Sequence, residues 1–268
     1  MSITPVLEKP VAPPVANISA PPTWYISPDL RQQLLEILQA TPERPMPLKM
    51  TYEEFLAWAD EDTLAEWVDG EAIVTSPASN RHQDLGGFLE SVLRPFVEER
   101  HLGVVRSAPF QMKLAHGREP DLLFVTTEHL GRLKKNYLDG PADLVVEVVS
   151  AESAGRDRGE KFYEYAQGGV PEYWLIDPET AWAEFYRLDK GRYRLAFEGR
   201  AGEYHALALP GFWLRVEWLW QEPLPAVEDV LLEIGGEAYA QRWLERIRQR
   251  GLWPKDTPLA LEAPEVHA

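Results

Sequence analysis

Between residues 81 and 100, Leu85, Phe88, Leu89, Val92, Leu93, Phe96 and Val97 recur at three- and four-residue spacing, which predicts one long helix with a broad apolar stripe. Upstream, Thr51-Tyr52-Glu53-Glu54 fits a capping box that opens a short helix through about Trp58. The run LAEWVDGEAIVTS alternates on either side of Asp69-Gly70, the signature of a hairpin with a tight turn, and PASN ends it. After His101-Leu102-Gly103 the pattern turns to strands: VVRSAPFQMKL, PDLLFVT, DLVVEVVS and EYWLIDP. One helix is expected from Gly155 to Gly168, ended by Gly168-Gly169 and Pro171. AWAEFYRLD and GRYRLAFEG predict a hairpin joined at Asp189-Lys190-Gly191, and the run to about Trp220 closes the core. A last helix, VEDVLLEIGGEAYAQRWLERIRQRG, is expected to break at Gly235-Gly236.

These elements predict an α/β fold, a mixed β-sheet core flanked by helices rather than a series of regular βα repeats. Proline recurs through KPVAPPVANISAPP, so residues 1–45 read as an extended tail carrying one short helix with Leu30, Leu34, Leu35 and Leu38 on a stripe. Residues 46–222 are then the core domain, and residues 223–268 a C-terminal helix and tail.

Composition narrows the chemistry. The chain has 268 residues and is 45% hydrophobic, enough for one large core. It has no cysteine, which excludes disulfides and thiolate zinc sites. No apolar run approaches a membrane span, and MSITPVLEKPVAPP lacks the pattern of a signal peptide, so a cytoplasmic protein is expected. A formal net charge of −16 argues against bulk electrostatic coating of nucleic acid. It leaves room for a site whose acids are neutralised by divalent cations, with basic residues guiding a phosphate backbone: Arg132, Lys134 and Lys135, then Arg156, Arg158 and Lys161.

The candidate site residues are charged side chains in apolar surroundings. Glu147 interrupts Leu144-Val145-Val146-Glu147-Val148-Val149, a run that reads as a strand buried on both faces. By alternation it shares a face with Val145, Val149 and Asp143. A carboxylate there must be neutral, paired or bound to a cation. Asp121 opens its own strand on the face of Leu123 and Val125. Two carboxylates brought together raise each other's pKa unless a cation compensates, and Mg²⁺ suits such a site because it needs few protein ligands. Asp157, Lys161 and Tyr165 follow at four-residue spacing along one helix stripe, with Lys161 at the boundary within reach of the carboxylates. Glu66, on the face of Leu64 and Val68, is a candidate further ligand. His82, on the apolar stripe of the long helix, is a candidate for touching the metal, a water or a phosphate.

Pro120-Asp121, Glu147 and Lys161 resemble the PD-(D/E)XK nuclease superfamily. EWVDGEAIVTSPAS, His82, EPDLLFV, GPADLVVEVVS and RDRGEKFYEYAQGGVPEYWLIDP are similar to one branch of it, the Uma-two family of restriction endonucleases, from about Met46 to Trp220. The resemblance implies a restriction-endonuclease-like core in which Asp121, Glu147 and the carbonyl of Val148 hold Mg²⁺, with Mn²⁺ as a substitute, and Lys161 serves as the catalytic cation. His82, Asp157, Arg158 and Tyr165 are then expected to support these groups or bind phosphate. The superfamily lysine normally lies two residues after the glutamate, where this chain has Val149, so Lys161 takes the migrated position. The usual Ser-Pro-Ser-Thr after the strand reads Ser150-Ala151-Glu152-Ser153.

The function expected is a Mg²⁺-dependent endonuclease acting on DNA, with a homodimer plausible for cutting two strands. Two other readings remain open: a catalytically silent module that binds nucleic acid or protein on the same fold, and a phosphoesterase for small molecules, which predicts a closed pocket.

Overall fold

The computed structural model describes residue 32, residues 49–59, residues 63–74 and residues 78–252. The proline-rich tail with its short helix, the strand end at 75–77 and the tail from Trp253 lie outside the described residues. The chain divides into a unit spanning Met1–Met46 and a unit spanning Pro47–Ala268, and every element below belongs to the second.

Helix α1 (Tyr52–Trp58) starts with the expected capping box: Thr51 accepts from the Glu54 N–H, and Glu54 accepts from the Thr51 N–H. Strands β1 (Ala65–Val68) and β2 (Glu71–Val74) form the hairpin around Asp69-Gly70. Both turn residues have positive φ, 50° and 88°, as a two-residue turn of this hand requires. Helix α2 (Asn80–Glu99) is capped by Ser79 and buries all seven residues of the expected stripe.

The segment VVRSAPFQMKL does not form one strand. It splits into β3 (Gly103–Ser107) and β4 (Gln111–Lys113), which join different sheets. Pro109 lies between them and has no N–H to donate to a ladder. Then follow β5 (Gly117–Arg118), β6 (Leu122–Thr126), β7 (Tyr137–Asp139) and β8 (Leu144–Val148).

The single helix expected over 155–168 is two: α3 (Ala154–Asp157) and α4 (Glu160–Gly168). The chain bends at Gly159, where any Cβ would stand 2.6 Å from the carbonyl oxygen of Gly155. Strands β9 (Glu172–Asp177), β10 (Trp182–Asp189) and β11 (Arg192–Gly199) complete the main sheet. Asp189 still pairs with Arg192, so the β10–β11 turn is only two residues long. Strands β12 (Glu203–His205) and β13 (Trp213–Arg215) lead to helix α5 (Val227–Gln249), whose backbone leaves helical geometry at Gly236, as expected.

The result is a mixed α/β architecture of three sheets flanked by helices. The main sheet has the order β11-β10-β9-β8-β6-β3, the second β2-β1-β5-β4-β7, and the third pairs β12 with β13. Pairs β8–β9 and β4–β7 are parallel, the others antiparallel. One face of the main sheet, through Leu144, Val146 and Val148, packs in a core with the α2 stripe. Val230, Leu231 and Ile234 of α5 join the same core, so this helix is part of the packed unit rather than an appendage. The other face, through Val145 and Val149, packs against Tyr165 and Ala166 of α4.

Glu172 ties the third sheet's loop to this frame. Its fully buried carboxylate accepts from Trp174 Nε1 (2.8 Å), Tyr204 Oη (2.6 Å) and the N–H groups of Leu207 (2.8 Å) and Ala208 (2.6 Å). Glu172→Ala strands four donors, so it lowers unfolding stability by about 3–5 kcal/mol in urea titrations. A loss below about 1 kcal/mol would show that the four bonds do not hold the loop.

Candidate active site

Strand register brings the two candidate acids together. In the antiparallel β6–β8 pair, Leu122 faces Val146, Leu123 faces Val145 and Phe124 faces Leu144. One more step of the same register sets Asp121 opposite Glu147, where facing Cβ atoms stand about 4.5–5.5 Å apart. Period-two alternation puts both on the α4 side of the sheet, because Leu123 and Val125 share one core with Val145 and Val149. Both acids line one cleft of about 390 Å³. Exposed residues at 78–79, 151–152 and 179 also line it, so the cleft opens to solvent rather than closing as a small-molecule pocket. Asp121 Oδ2 accepts the N–H of Val148 at 2.6 Å, which fixes its carboxylate beside the Glu147 backbone.

Lys161 is buried rather than at the boundary, at 5% exposure. Its Nζ lies 3.0 Å from Glu147 Oε1, 3.1 Å from Glu66 Oε1 and 3.3 Å from Asp157 Oδ1. An ammonium has three donors, and here each faces a different carboxylate. Burial opposes the charge on Lys161, but these carboxylates outweigh it and raise its pKa well above the ordinary lysine range. Tyr165 donates to Glu147 Oε1 at 2.8 Å. Both bonds to Glu147 go to Oε1, which leaves Oε2 for the cleft.

Burial first, then repulsion from Asp157, Asp121 and Glu66, pushes the Glu147 carboxyl well above the usual carboxylate range, although Lys161 opposes this. Burial likewise raises Asp157, against the opposing pull of the Lys161 ammonium 3.3 Å away. Glu66 behaves in the opposite way. Burial would raise its pKa, but Lys161 and Arg118 hold it below the ordinary value.

His82, in the first turn of α2, places Nε2 3.2 Å from Asp121 Oδ2. Burial favours its neutral form, yet the bond to Asp121 outweighs that and raises its pKa. Arg158 does not face the cleft. It lies before the bend at Gly159 and pairs with Asp177 at 3.1 Å and Glu184 at 3.2 Å, on β9 and β10. Arg156 is the arginine that lines the cleft. Arg132 bonds the Pro141 carbonyl and Lys134 lies 3.9 Å from Asp139, both outside it.

The donor set at the cleft is carboxylate and carbonyl oxygen, which suits a hard divalent cation. Among the described residues, Asp121, Glu147, Glu66, Glu119, Glu152 and Glu179 line the cleft with Lys161, Arg156 and His82 as its basic side chains. Burial, with Asp157, Asp121 and Glu66 all facing Glu147, leaves its carboxyl raised despite Lys161. Among the described residues no three His, Asp or Glu side chains converge as a ready-made metal cage. Two carboxylates facing one cleft are donors of the kind that hard divalent cations take. Glu66, expected as a further ligand, has both oxygens committed: Oε1 to Lys161 and Oε2 to Arg118 at 3.0 Å.

Sequence reasoning missed four residues here. Glu119 lines the cleft. Its Oε2 accepts from Ala65 N–H (3.1 Å) and Gln111 (3.2 Å), and Oε1 is buried without a partner. Burial, with Glu66 adding to it against the Ala65 bond, pushes its carboxyl up to about 7. Arg118, 1% exposed, bonds Glu66 and Glu164. Glu164 also accepts from the His116 N–H at 3.0 Å, and its Oε2 lies 2.9 Å from His116 Nδ1. The available signal was the charged run Arg118-Glu119-Pro120-Asp121 entering an apolar strand; nothing in the sequence linked it to Glu164.

Residues 52–217 match the Uma2 family, described as "Putative restriction endonuclease". Among solved structures, the "Crystal structure of a putative nuclease belonging to DUF820 from Anabaena variabilis ATCC 29413" superposes with a TM-score of 0.56 at 17% identity, covering 64% of this chain and 97% of that one. At that identity the likeness establishes the fold alone. No curated protein matches the chain. Among the described residues no helix is long and apolar enough to cross a membrane.

The ion pairs give a signed pH dependence. Burial raises the Glu164 pKa, but His116 and Arg118 outweigh it and hold it below the ordinary value. Its ionised form therefore stabilises the fold above the unfolded pKa of about 4.3, and that contribution is lost as pH falls through the lower folded pKa. In EDTA, Glu164→Gln is expected to be less stable at pH 7 and to lose stability less steeply below about pH 4.5. Parallel stability curves for variant and wild type in chemical denaturation would contradict the assignment.

Proposed function

Because the chain belongs to the Uma2 family of restriction-endonuclease-like nucleases, we propose that it is a Mg²⁺-dependent endonuclease that hydrolyses phosphodiester bonds in DNA. The observation that carries this reading is the facing pair Asp121 and Glu147 on adjacent strands, lining an open cleft with the Lys161 ammonium 3.0 Å from Glu147.

Asp121, Glu147 and the Val148 carbonyl are the groups that would hold the ion, with Mn²⁺ as a substitute. When bound there, such an ion would supply Lewis-acid polarisation of a phosphoryl oxygen and a lowered pKa for attacking water. The rest of the work falls to the chain itself. Val148 N–H and His82 orient the Asp121 carboxylate. Tyr165 holds one oxygen of Glu147 and directs the other to the cleft. Lys161 remains charged among its carboxylates and brings fixed positive charge to the place where negative charge develops on the phosphoryl group. Arg156, on the cleft wall, is the cation placed to meet a backbone phosphate. The exposed rim admits a polymer, and cutting both strands of a duplex calls for a homodimer.

Purified protein is incubated with circular DNA and Mg²⁺ or Mn²⁺ beside Asp121→Ala/Glu147→Ala. Nicked or linear product is expected from the wild type alone. Lys161→Ala is expected to lower kcat by about a hundredfold. Equal cleavage by wild type and the double variant, or DNA binding with no cleavage, overturns the assignment, the latter in favour of a binding module.

A further inference from the structure

We propose that Arg118 is a positioning residue of this site, acting through Glu66 to hold the Lys161 ammonium in place. The proposal rests on the nuclease reading for its catalytic consequence, but its structural half stands on geometry alone. Lys161 and Glu164 both project from α4, one turn apart. Glu66 on β1 and Arg118 on β5 both project from the second sheet, on strands that pair through Trp67 and Gly117. The four side chains close a ring of alternating charge: Lys161 to Glu66 at 3.1 Å, Glu66 to Arg118 at 3.0 Å, Arg118 to Glu164 at 2.8 Å, with the α4 backbone completing it.

The ring answers a question that the Lys161 contacts raise. A lysine is a point charge on a flexible stem, so its position is set by what surrounds the ammonium. Of its three carboxylates, Glu147 is the one proposed to serve a cation. Asp157 ends α3, just before the bend at Gly159, so it belongs to the contiguous stretch of chain that carries Lys161 and ties the ammonium only to its own neighbourhood. Glu66 is the anchor outside that stretch and outside the main sheet. Its own freedom is removed by Arg118, whose rigid planar fork meets carboxylates on both β1 and α4. Beyond Glu164 the chain of contacts continues to His116 and, at 3.1 Å, to the exposed Asp69 in the hairpin turn.

A buried guanidinium bonded to Glu66 and Glu164, with Glu160 a further 3.7 Å neighbour, is a costly way merely to fill space, since apolar residues of similar volume do so at least as well. Orientation of a reacting group is a role that apolar packing does not fill.

The test uses Arg118→Lys, which keeps a cation for one of the two carboxylates, and Arg118→Met, which keeps none. Two readouts are taken. In EDTA, acylation of Lys161 by an N-hydroxysuccinimide ester is followed by mass spectrometry, with exposed Lys190 as internal standard. Lys161 is expected to be protected in the wild type and to react about tenfold faster or more in Arg118→Lys, and faster again in Arg118→Met if that variant folds. With Mn²⁺ and DNA, kcat of Arg118→Lys is expected to fall at least about tenfold, while KM and Mn²⁺ half-saturation stay within about twofold. A lower melting temperature with unchanged Lys161 labelling and unchanged kcat overturns the proposal, as does a kcat loss matched by an equal loss of Mn²⁺ affinity. A wild type that cuts nothing, with Lys161 labelling still dependent on Arg118, overturns the nuclease reading and supports the clamp.

Discussion

The ammonium of Lys161 makes this arrangement of acids possible. It stands within 3.3 Å of three carboxylates that come from three places: Glu147 from the main sheet, Glu66 from the second sheet and Asp157 from the short helix before it. Two like charges about 5 Å apart repel by about 3 kcal/mol at an effective dielectric near 20, and burial adds the cost of desolvation. Domain stability as a whole is about 5–15 kcal/mol. Three mutually facing acids without that cation would therefore consume a large part of it. The raised Glu147 and Asp157 and the depressed Glu66 are the residue-level record of how unevenly one positive charge is shared. Glu66 has a second cation in Arg118, and the other two do not.

The sheet that carries the acids is rigid for reasons unrelated to charge. Strand β8 lies between β6 and β9, with α2 and α5 contributing to the core on one face and α4 to that on the other. Trp174 meets Phe185 and Tyr204 edge-on behind it while those two rings stack, and Glu172 gathers the loop at 207–208 onto the same block. The cleft is thus a surface feature on a scaffold whose packing does not depend on what enters the cleft.

Much of this was legible along the chain. Alternation placed Glu147 with Val145 and Val149, and Asp121 with Leu123 and Val125, and the register of β6 against β8 puts the two acids opposite each other. The capping box at Thr51, the Asp69-Gly70 turn and the α2 stripe were readable because each depends on neighbours a few residues away. What was not legible depends on chain bending or on distant partners. Arg158 was expected near phosphate, but it lies before the bend at Gly159, where only a residue without Cβ fits against the Gly155 carbonyl, and it pairs with Asp177 and Glu184. Glu66 was recognised as an odd acid on a strand, yet its partner Arg118 is 52 residues away and its role follows from that pairing. Glu119 lies two residues before Asp121, but the packing of β1 against β5 and the bond from Gln111 are what reveal its burial.

Val149, two residues beyond Glu147, is 2% exposed and packs in the core that holds Tyr165 and Tyr173. With the ammonium delivered from a helix, the strand end is free to be wholly apolar. The positive charge and the apolar strand end thus come from different segments, Lys161 from α4 and Val149 from just beyond β8, joined by the core that Val149 shares with Tyr165. A strand relieved of its ammonium in this way can be sealed from water along its whole length, up to the residue beside the acid.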